Sequence, residues 1–206
     1  MFTIWGRLNS HNVKKVVWAA VEAGLDWQRF DMGGAFGYTP EFLAMNPNRL
    51  VPAIVDSTGE DDGFTLWESN TILRYIADGY APRLWMGTAK DRALAERWMD
   101  WQFAYADAQR DGFVQMVRVA EPDRDAAKIE RSVQATNAMM VILDEALARQ
   151  EWLGGKAFGI ADIPMGTYTH TWLALGLDRI EAPHVRAWYA RLMERPGFQY
   201  VTIPLT

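Results

Sequence analysis

A chain of 206 residues, half of them hydrophobic and with ten tryptophans and nine phenylalanines, is long enough for one large domain or two small ones, each with its own core. Its net charge of -5 gives no broad attraction to nucleic acid or anionic lipid, and no run approaches the roughly 20 apolar residues that span a bilayer. Cysteine is absent, which excludes disulfides, zinc-thiolate sites and a protein thiol nucleophile; any sulfur chemistry must use a sulfur brought by the ligand.

The opening Met1-Phe2-Thr3-Ile4-Trp5 lacks the basic start and long apolar body of a signal peptide, so a cytoplasmic location is expected. Phe2 to Trp5 predicts a first strand. Gly6 to Asn12 is then the loop into a helix that places Val13, Val16, Val17, Ala20 and Val21 on one face and stops at Gly24. The basic cluster Arg7, Lys14 and Lys15 is too small to attract a polyanion. Trp27 to Asp31 predicts a second strand, parallel to the first through a right-handed crossover. Gly33 to Gly37 has neither the glycine spacing nor the Gly-Lys ending of a phosphate loop and reads as a surface loop. Val51 to Asp56 and Phe64 to Trp67 form a predicted antiparallel hairpin around the turn-rich residues Ser57 to Gly63. A helix from Ser69 to about Gly79 closes a small α/β domain near position 80.

After the linker-like residues 81–85 no strand pattern returns. Asp91 to Val119, Arg124 to Arg149, Ala161 to Leu175 and His184 to Glu194 carry helical spacing. Phe158 and Ile163 are placed for a hydrophobic staple, with Asp162 as the capping-box acid of the third of these helices. His11, His170 and His184 show no metal-ligand spacing, and no metal is expected.

Two stretches suit the capture of a small peptide. Pro52 has no N–H to give a sheet, so it belongs at a strand start or an edge. A cis Val51-Pro52 bond would turn the main-chain groups of Val51 outward, where a short extended peptide could pair with them. A helix N-terminus at Ser69 offers unpaired N–H groups to a carboxylate, and Glu68 beside it offers a carboxylate to an ammonium. Taken singly, Pro52 is a strand starter and Ser69 an N-cap. Their order and spacing together match an amino-acid head group at both of its charges.

Ser10-His11-Asn12-Val13-Lys14-Lys15-Val16, Asn46-Pro47-Asn48, Val51-Pro52, Glu68-Ser69, Ala161-Asp162-Ile163 and Ala187 to Pro196 occur in an order that resembles the cytosolic glutathione transferases over essentially the full length. The likeness is to the bacterial, serine-type, theta/nu-like branch. The resemblance implies a thioredoxin-like glutathione-binding domain over 1–80, a linker at 81–85, and an all-α domain over 86–206 that contributes an electrophile pocket and dimer contacts. It implies a homodimer, glutathione as co-substrate without a metal, a site at the domain interface and a small hydrophobic electrophile as the other substrate. Pro52 would be cis, Val51 would hold the cysteinyl backbone, and Glu68 with Ser69 would hold the γ-glutamyl group. Ser10 takes the place of the catalytic hydroxyl, with Asn12 as its rival for the sulfur contact.

Relatives carry Gly and then Lys or Arg where this chain has Arg49-Leu50, so the glycyl carboxylate would need Arg49 or Arg7 as its cation. Gly159 stands where relatives have a Ser or Thr cap. The electrophile pocket is expected from the Arg7-Leu8 loop, the Gly33 to Tyr38 loop and Phe103, Phe113 and Trp172. Lowering a thiol of pKa about 8.5 by about two units needs about 2.7 kcal/mol. A hydrogen bond to the thiolate of roughly 1.5 to 3 kcal/mol and a helix N-terminus of roughly 0.3 to 2 kcal/mol suffice without a base. The expected activity is thiolate attack on an electrophile, with glutathione-dependent peroxide or disulfide reduction as a variant. The alternative is a non-catalytic binding or scaffold protein, or a ligand carrier.

Overall fold

Phe2 and Ile4 alternate with Thr3 and Trp5, and the alternation is that of a strand with one face fully buried: β1, Phe2–Trp5. The computed structural model describes residues 1–59, 63–85 and 87–205. The chain forms two units, one of residues 1–85 with 196–205 and the other of residues 87–195.

The first unit continues with α1 (His11–Ala23), β2 (Trp27–Phe30), α2 (Pro40–Met45), β3 (Ala53–Asp56), β4 (Phe64–Trp67) and α3 (Ser69–Gly79). The sheet order is β2-β1-β3-β4, with β2 parallel to β1 and the other pairs antiparallel. This is a thioredoxin-like βαβ unit followed by a ββα unit, with α1 packed on α3. Val13, Val16 and Val17 of α1 are fully buried, as are Ile72, Leu73 and Ile76 of α3. Gly24 ends α1 in the left-handed region at φ 69, giving its N–H to the carbonyls of Ala20 and Val21. Helix α1 starts earlier than its apolar spacing suggests, because Ser10 at φ -110 and ψ 129 is already its extended N-cap.

Helix α2 is an element the apolar pattern did not reveal. Thr39 caps it, its hydroxyl accepting from the Phe42 N–H at 3.2 Å, and Pro40 opens its first turn. Phe42 then packs with Met32 and Ala53 in a small cluster that Trp5 and Val51 border. Strand β3 begins at Ala53 rather than Val51, since Pro52 has no N–H for the ladder. The middle of the expected hairpin loop, residues 60–62, lies outside the described residues. One end of that loop is tied down by Asp56, whose carboxylate accepts from the Thr58 N–H at 2.9 Å and from the Tyr75 hydroxyl at 2.6 Å, and also from the Tyr80 hydroxyl. Burial works against the charge on Asp56, but the bonds from Thr58, Tyr75 and Tyr80 outweigh it and hold the carboxyl below its ordinary pKa.

The expected all-α portion over 86–206 gives up its end to the first unit. Pro196–Tyr200 turns onto α1, where Phe198 meets Trp18 edge-on at 5.3 Å between ring centres. Tyr200 meets Trp27 at 5.6 Å. Gly197 is required for this approach, because a Cβ there would lie 2.2 Å from the Trp18 ring. The buried Lys14 ammonium donates to the Val201 carbonyl at 2.8 Å and to that of Ile203.

The second unit holds α4 (Ala89–Val117), α5 (Ala126–Leu147), α6 (Asp162–Ala174) and α7 (Pro183–Met193). Thr88 and Asp91 form a reciprocal capping box at the start of α4. Asp162 is fully buried and accepts from the N–H groups of Gly159 and Leu153, both at 2.9 Å, and from the Trp188 indole at 2.8 Å. Burial raises its pKa to about 6, against those three donors. Its role is structural, as the capping-box pattern predicts.

Candidate functional site

The sheet register sets Trp5, Ala53 and Trp67 side by side. The loop after β1, the turn before β3 and the residue after β4 therefore lie at one edge of the first unit, and the N-termini of α1 and α3 open there. The Ser69 hydroxyl donates to the Asn12 side-chain oxygen at 3.3 Å, which ties the two helix starts together.

Ser10 is the N-cap of α1, yet its hydroxyl makes no capping hydrogen bond. The oxygen that a capping residue normally spends on the first turn is thus left beside the N–H groups of that turn. No acidic side chain sits in the first turn of α1 to offset its positive end. Asn12 uses its carbonyl oxygen on Ser69 and keeps its amide N–H groups as donors.

The Val51-Pro52 bond is cis. Among the described residues, neither main-chain group of Val51 has a hydrogen-bond partner. The approach to it is set by Asn46, buried, whose amide donates to the Leu50 carbonyl at 2.8 Å while its oxygen accepts from the Asn48 N–H at 3.1 Å. Arg49 follows at φ 57, exposed, its carbonyl receiving the Tyr38 hydroxyl at 2.7 Å. Glu68 precedes α3 at φ 72 and ψ 106, a region that side chains rarely enter. Such conformations persist where the surroundings impose them, commonly at ligand sites.

Arg7 lies along the backbone of Gly33 and Gly34, both at positive φ. A Cβ on Gly33 would come within 3.0 Å of Arg7 Nη1 and 3.3 Å of Val51 Cγ1. The guanidinium is therefore a near neighbour of Val51, a placement that the loop sequence did not disclose. Leu8 is half-buried in the same loop.

The residues expected to meet an electrophile are dispersed in the second unit. Phe103 is 55% exposed on α4, and Phe113 has the Arg118 guanidinium 5.3 Å from its ring centre. Trp172 is fully buried, and a Cβ on Gly112 of α4 would lie 3.1 Å from its ring. With no face open to solvent, it packs inside the second unit against α4. His170 is bonded to Tyr189 at 2.7 Å and His184 to Asp144 at 2.9 Å, so both have structural partners. No group of three or more potential metal ligands occurs among the described residues, and no helix there is long and apolar enough to cross a membrane.

The sequence matches the family model for the glutathione S-transferase N-terminal domain over residues 9–78 and that for the C-terminal domain over residues 102–196. The chain belongs to the glutathione S-transferase family. Glutathione S-transferase GstB of Escherichia coli strain K12 is 38% identical over 207 residues, covering 98% of each chain. The disulfide-bond oxidoreductase YfcG of the same strain is 32% identical over 190 residues, covering 90% of this chain and 87% of that one. A solved structure of the theta class glutathione S-transferase from Xanthomonas axonopodis pv. citri, with glutathione bound, matches at TM-score 0.92 and 42% identity, covering 100% of this chain and 99% of the other. This transferase thus combines the fold of its family with a site edge formed by two helix starts and a cis-proline turn.

Proposed function

We propose that this transferase binds glutathione along that edge and activates its thiol as a thiolate through the Ser10 hydroxyl. The observation that carries the reading is the Ser10 oxygen placed at the start of α1 and not used as a cap. The N–H and C=O groups of Val51 take the cysteinyl backbone as a neighbouring strand would. The α3 N-terminus at Ser69 takes the γ-glutamyl carboxylate, and Glu68 takes the ammonium. Arg7, close to Val51, is the cation for the glycyl carboxylate; Arg49 is the exposed alternative.

The chemistry needs no protein base. The Ser10 hydroxyl and the first-turn N–H groups favour the thiolate over the thiol, the thiol proton passes to solvent, and the sulfur attacks an electrophilic carbon as the leaving group departs with its bonding electron pair. Asn12, whose amide N–H groups bond to none of the described residues, is the second candidate for the sulfur contact. Phe103 and Phe113 are the proposed contacts of a small hydrophobic electrophile, and the working form is a homodimer. Glutathione-dependent disulfide reduction is the second reading, favoured by the oxidoreductase among the relatives: the same thiolate attacks sulfur in place of carbon, one thiolate of the disulfide leaves, and a second glutathione thiolate resolves the mixed disulfide to oxidised glutathione and the other thiol.

The test is a pH titration of thiolate absorbance for glutathione bound to the protein. A pKa well below the free value of about 8.5 is the expected result. A bound thiol with an unshifted pKa, or no binding, points to the scaffold or carrier alternative.

A further inference from the structure

Helix α1 carries a lysine that the thiolate chemistry does not use. Lys15 is fully buried, and its ammonium donates to the Asn70 side-chain oxygen at 2.9 Å. Burial lowers its pKa from 10.5 to about 7, and the neighbouring Glu68 carboxylate pulls in the opposite direction. A methionine would fill much the same space without the desolvation penalty of an amine. What distinguishes the amine is its bond to Asn70, next to Ser69 at the start of α3, and an electrostatic attraction to the Glu68 carboxylate on the other side of Ser69.

Asn12 and Lys15 lie about one turn apart on α1. Asn12 accepts from Ser69, and Lys15 donates to the adjacent Asn70. The first turn of α3 is thereby held against the N-terminal half of α1 by these two side-chain bonds, and the Lys15 bond persists whether its amine is charged or neutral.

We propose that Lys15 is a positioning residue for the γ-glutamyl head group, holding Asn70 from the buried side so that the α3 N-terminus, and with it the Glu68 carboxylate that precedes it, stay in register with the two charges of the ligand. The inference rests on the glutathione reading above. Lys15 touches neither ligand nor sulfur. Its influence runs through α3, and a substitution there alters how tightly glutathione is held, not how fast a bound thiolate reacts.

The experiment compares wild-type protein with Lys15→Met, measuring the glutathione Kd by calorimetry and kcat/KM with 1-chloro-2,4-dinitrobenzene for two thiols, glutathione and cysteinylglycine. The second peptide lacks the γ-glutamyl group. Lys15→Met is expected to weaken glutathione binding and lower its kcat/KM by about tenfold. It should leave kcat at saturating glutathione, and kcat/KM for cysteinylglycine, within about twofold. Equal losses for both thiols, or an unchanged glutathione Kd, overturn the assignment. Absence of glutathione binding in the wild-type protein overturns the glutathione reading itself, a distinct result. If Lys15→Met does not fold, Asn70→Ala removes the same bond from the other side, and the same selective loss is required of it.

Discussion

The hydroxyl of Ser69 on α3 donates to the side-chain oxygen of Asn12 on α1, 3.3 Å away. That bond leaves the Ser10 hydroxyl and the Asn12 amide N–H groups as side-chain donors at the start of α1, and separate substitutions tell which serves the sulfur. Ser10→Ala should lower turnover at neutral pH by about tenfold or more, the value of one hydrogen bond to a charged atom. The loss should fade as the pH approaches the free thiol pKa of about 8.5, where solvent ionises the thiol unaided. Asn12→Ala should raise the glutathione KM through the lost Ser69 contact with a smaller change in kcat. Should the pH-dependent loss appear in Asn12→Ala instead, the sulfur contact belongs to Asn12.

Glu68 presents a conflict between fold and site. Its φ of 72 lies in the region where a side chain is strained, and such residues cost about 1 to 3 kcal/mol. Glycine adopts that conformation freely, although it loses more entropy on folding. Glu68→Gly should therefore stabilise the protein by about 1 kcal/mol while weakening glutathione binding by tenfold or more, about one charged hydrogen bond. Urea unfolding and calorimetry on one preparation decide it; a variant less stable than wild type would show that the strain is relieved by contacts that the carboxylate makes.

Local patterning disclosed the strands, the long helices and the two helix starts because each carries its own signal. Ser69 followed by Ile72, Leu73 and Ile76 needs no distant partner to be read as an amphipathic helix. Helix α2 carried a signal too, in Thr39-Pro40-Glu41, but it is too short for apolar spacing to reveal. Other features were not legible at all. Lys14 and Lys15 look like solvent-facing charges until partners remote in sequence, the Val201 carbonyl and the Asn70 amide, are folded against them. Trp172 is apolar and large, and nothing local shows that it is fully buried against Gly112, 60 residues away in sequence. The backbone of Glu68 is likewise invisible in its residue type.

If glutathione binds as proposed, Arg7 rather than Arg49 is the cation placed for its glycyl carboxylate. Its guanidinium rests on Gly33 and Gly34 near Val51, whereas Arg49 is exposed and contributes its carbonyl to Tyr38. Arg7→Ala should raise the glutathione KM about tenfold, one charge-assisted bond, and Arg49→Ala by less than about twofold. With γ-glutamylcysteine, which has no glycyl residue, Arg7→Ala should have little effect. Equal sensitivity of the two peptides to Arg7→Ala would place the arginine elsewhere in the mechanism, and a reversed order of the two variants would transfer the role to Arg49.

Lys14 gives the C-terminal segment a pH dependence whose sign follows from burial. Desolvation lowers its pKa from 10.5 to about 8 in the native protein. Between those values the unfolded chain holds a proton that the native state has shed. Stability therefore rises with pH across that window, and below it the burial penalty stands in full. Lys14→Met keeps the aliphatic stem and cannot titrate, so the stability of wild type relative to the variant should be lowest below pH 8 and climb between 8 and 10.5. Denaturant unfolding of both proteins at one pH below the window and one inside it measures the difference, and parallel behaviour would mean that the native amine keeps an ordinary pKa. The variant also lacks the bonds to the Val201 and Ile203 carbonyls. Amide exchange in residues 201–205 should accordingly quicken in Lys14→Met at every pH, because the missing bonds are donated by the charged and the neutral amine alike.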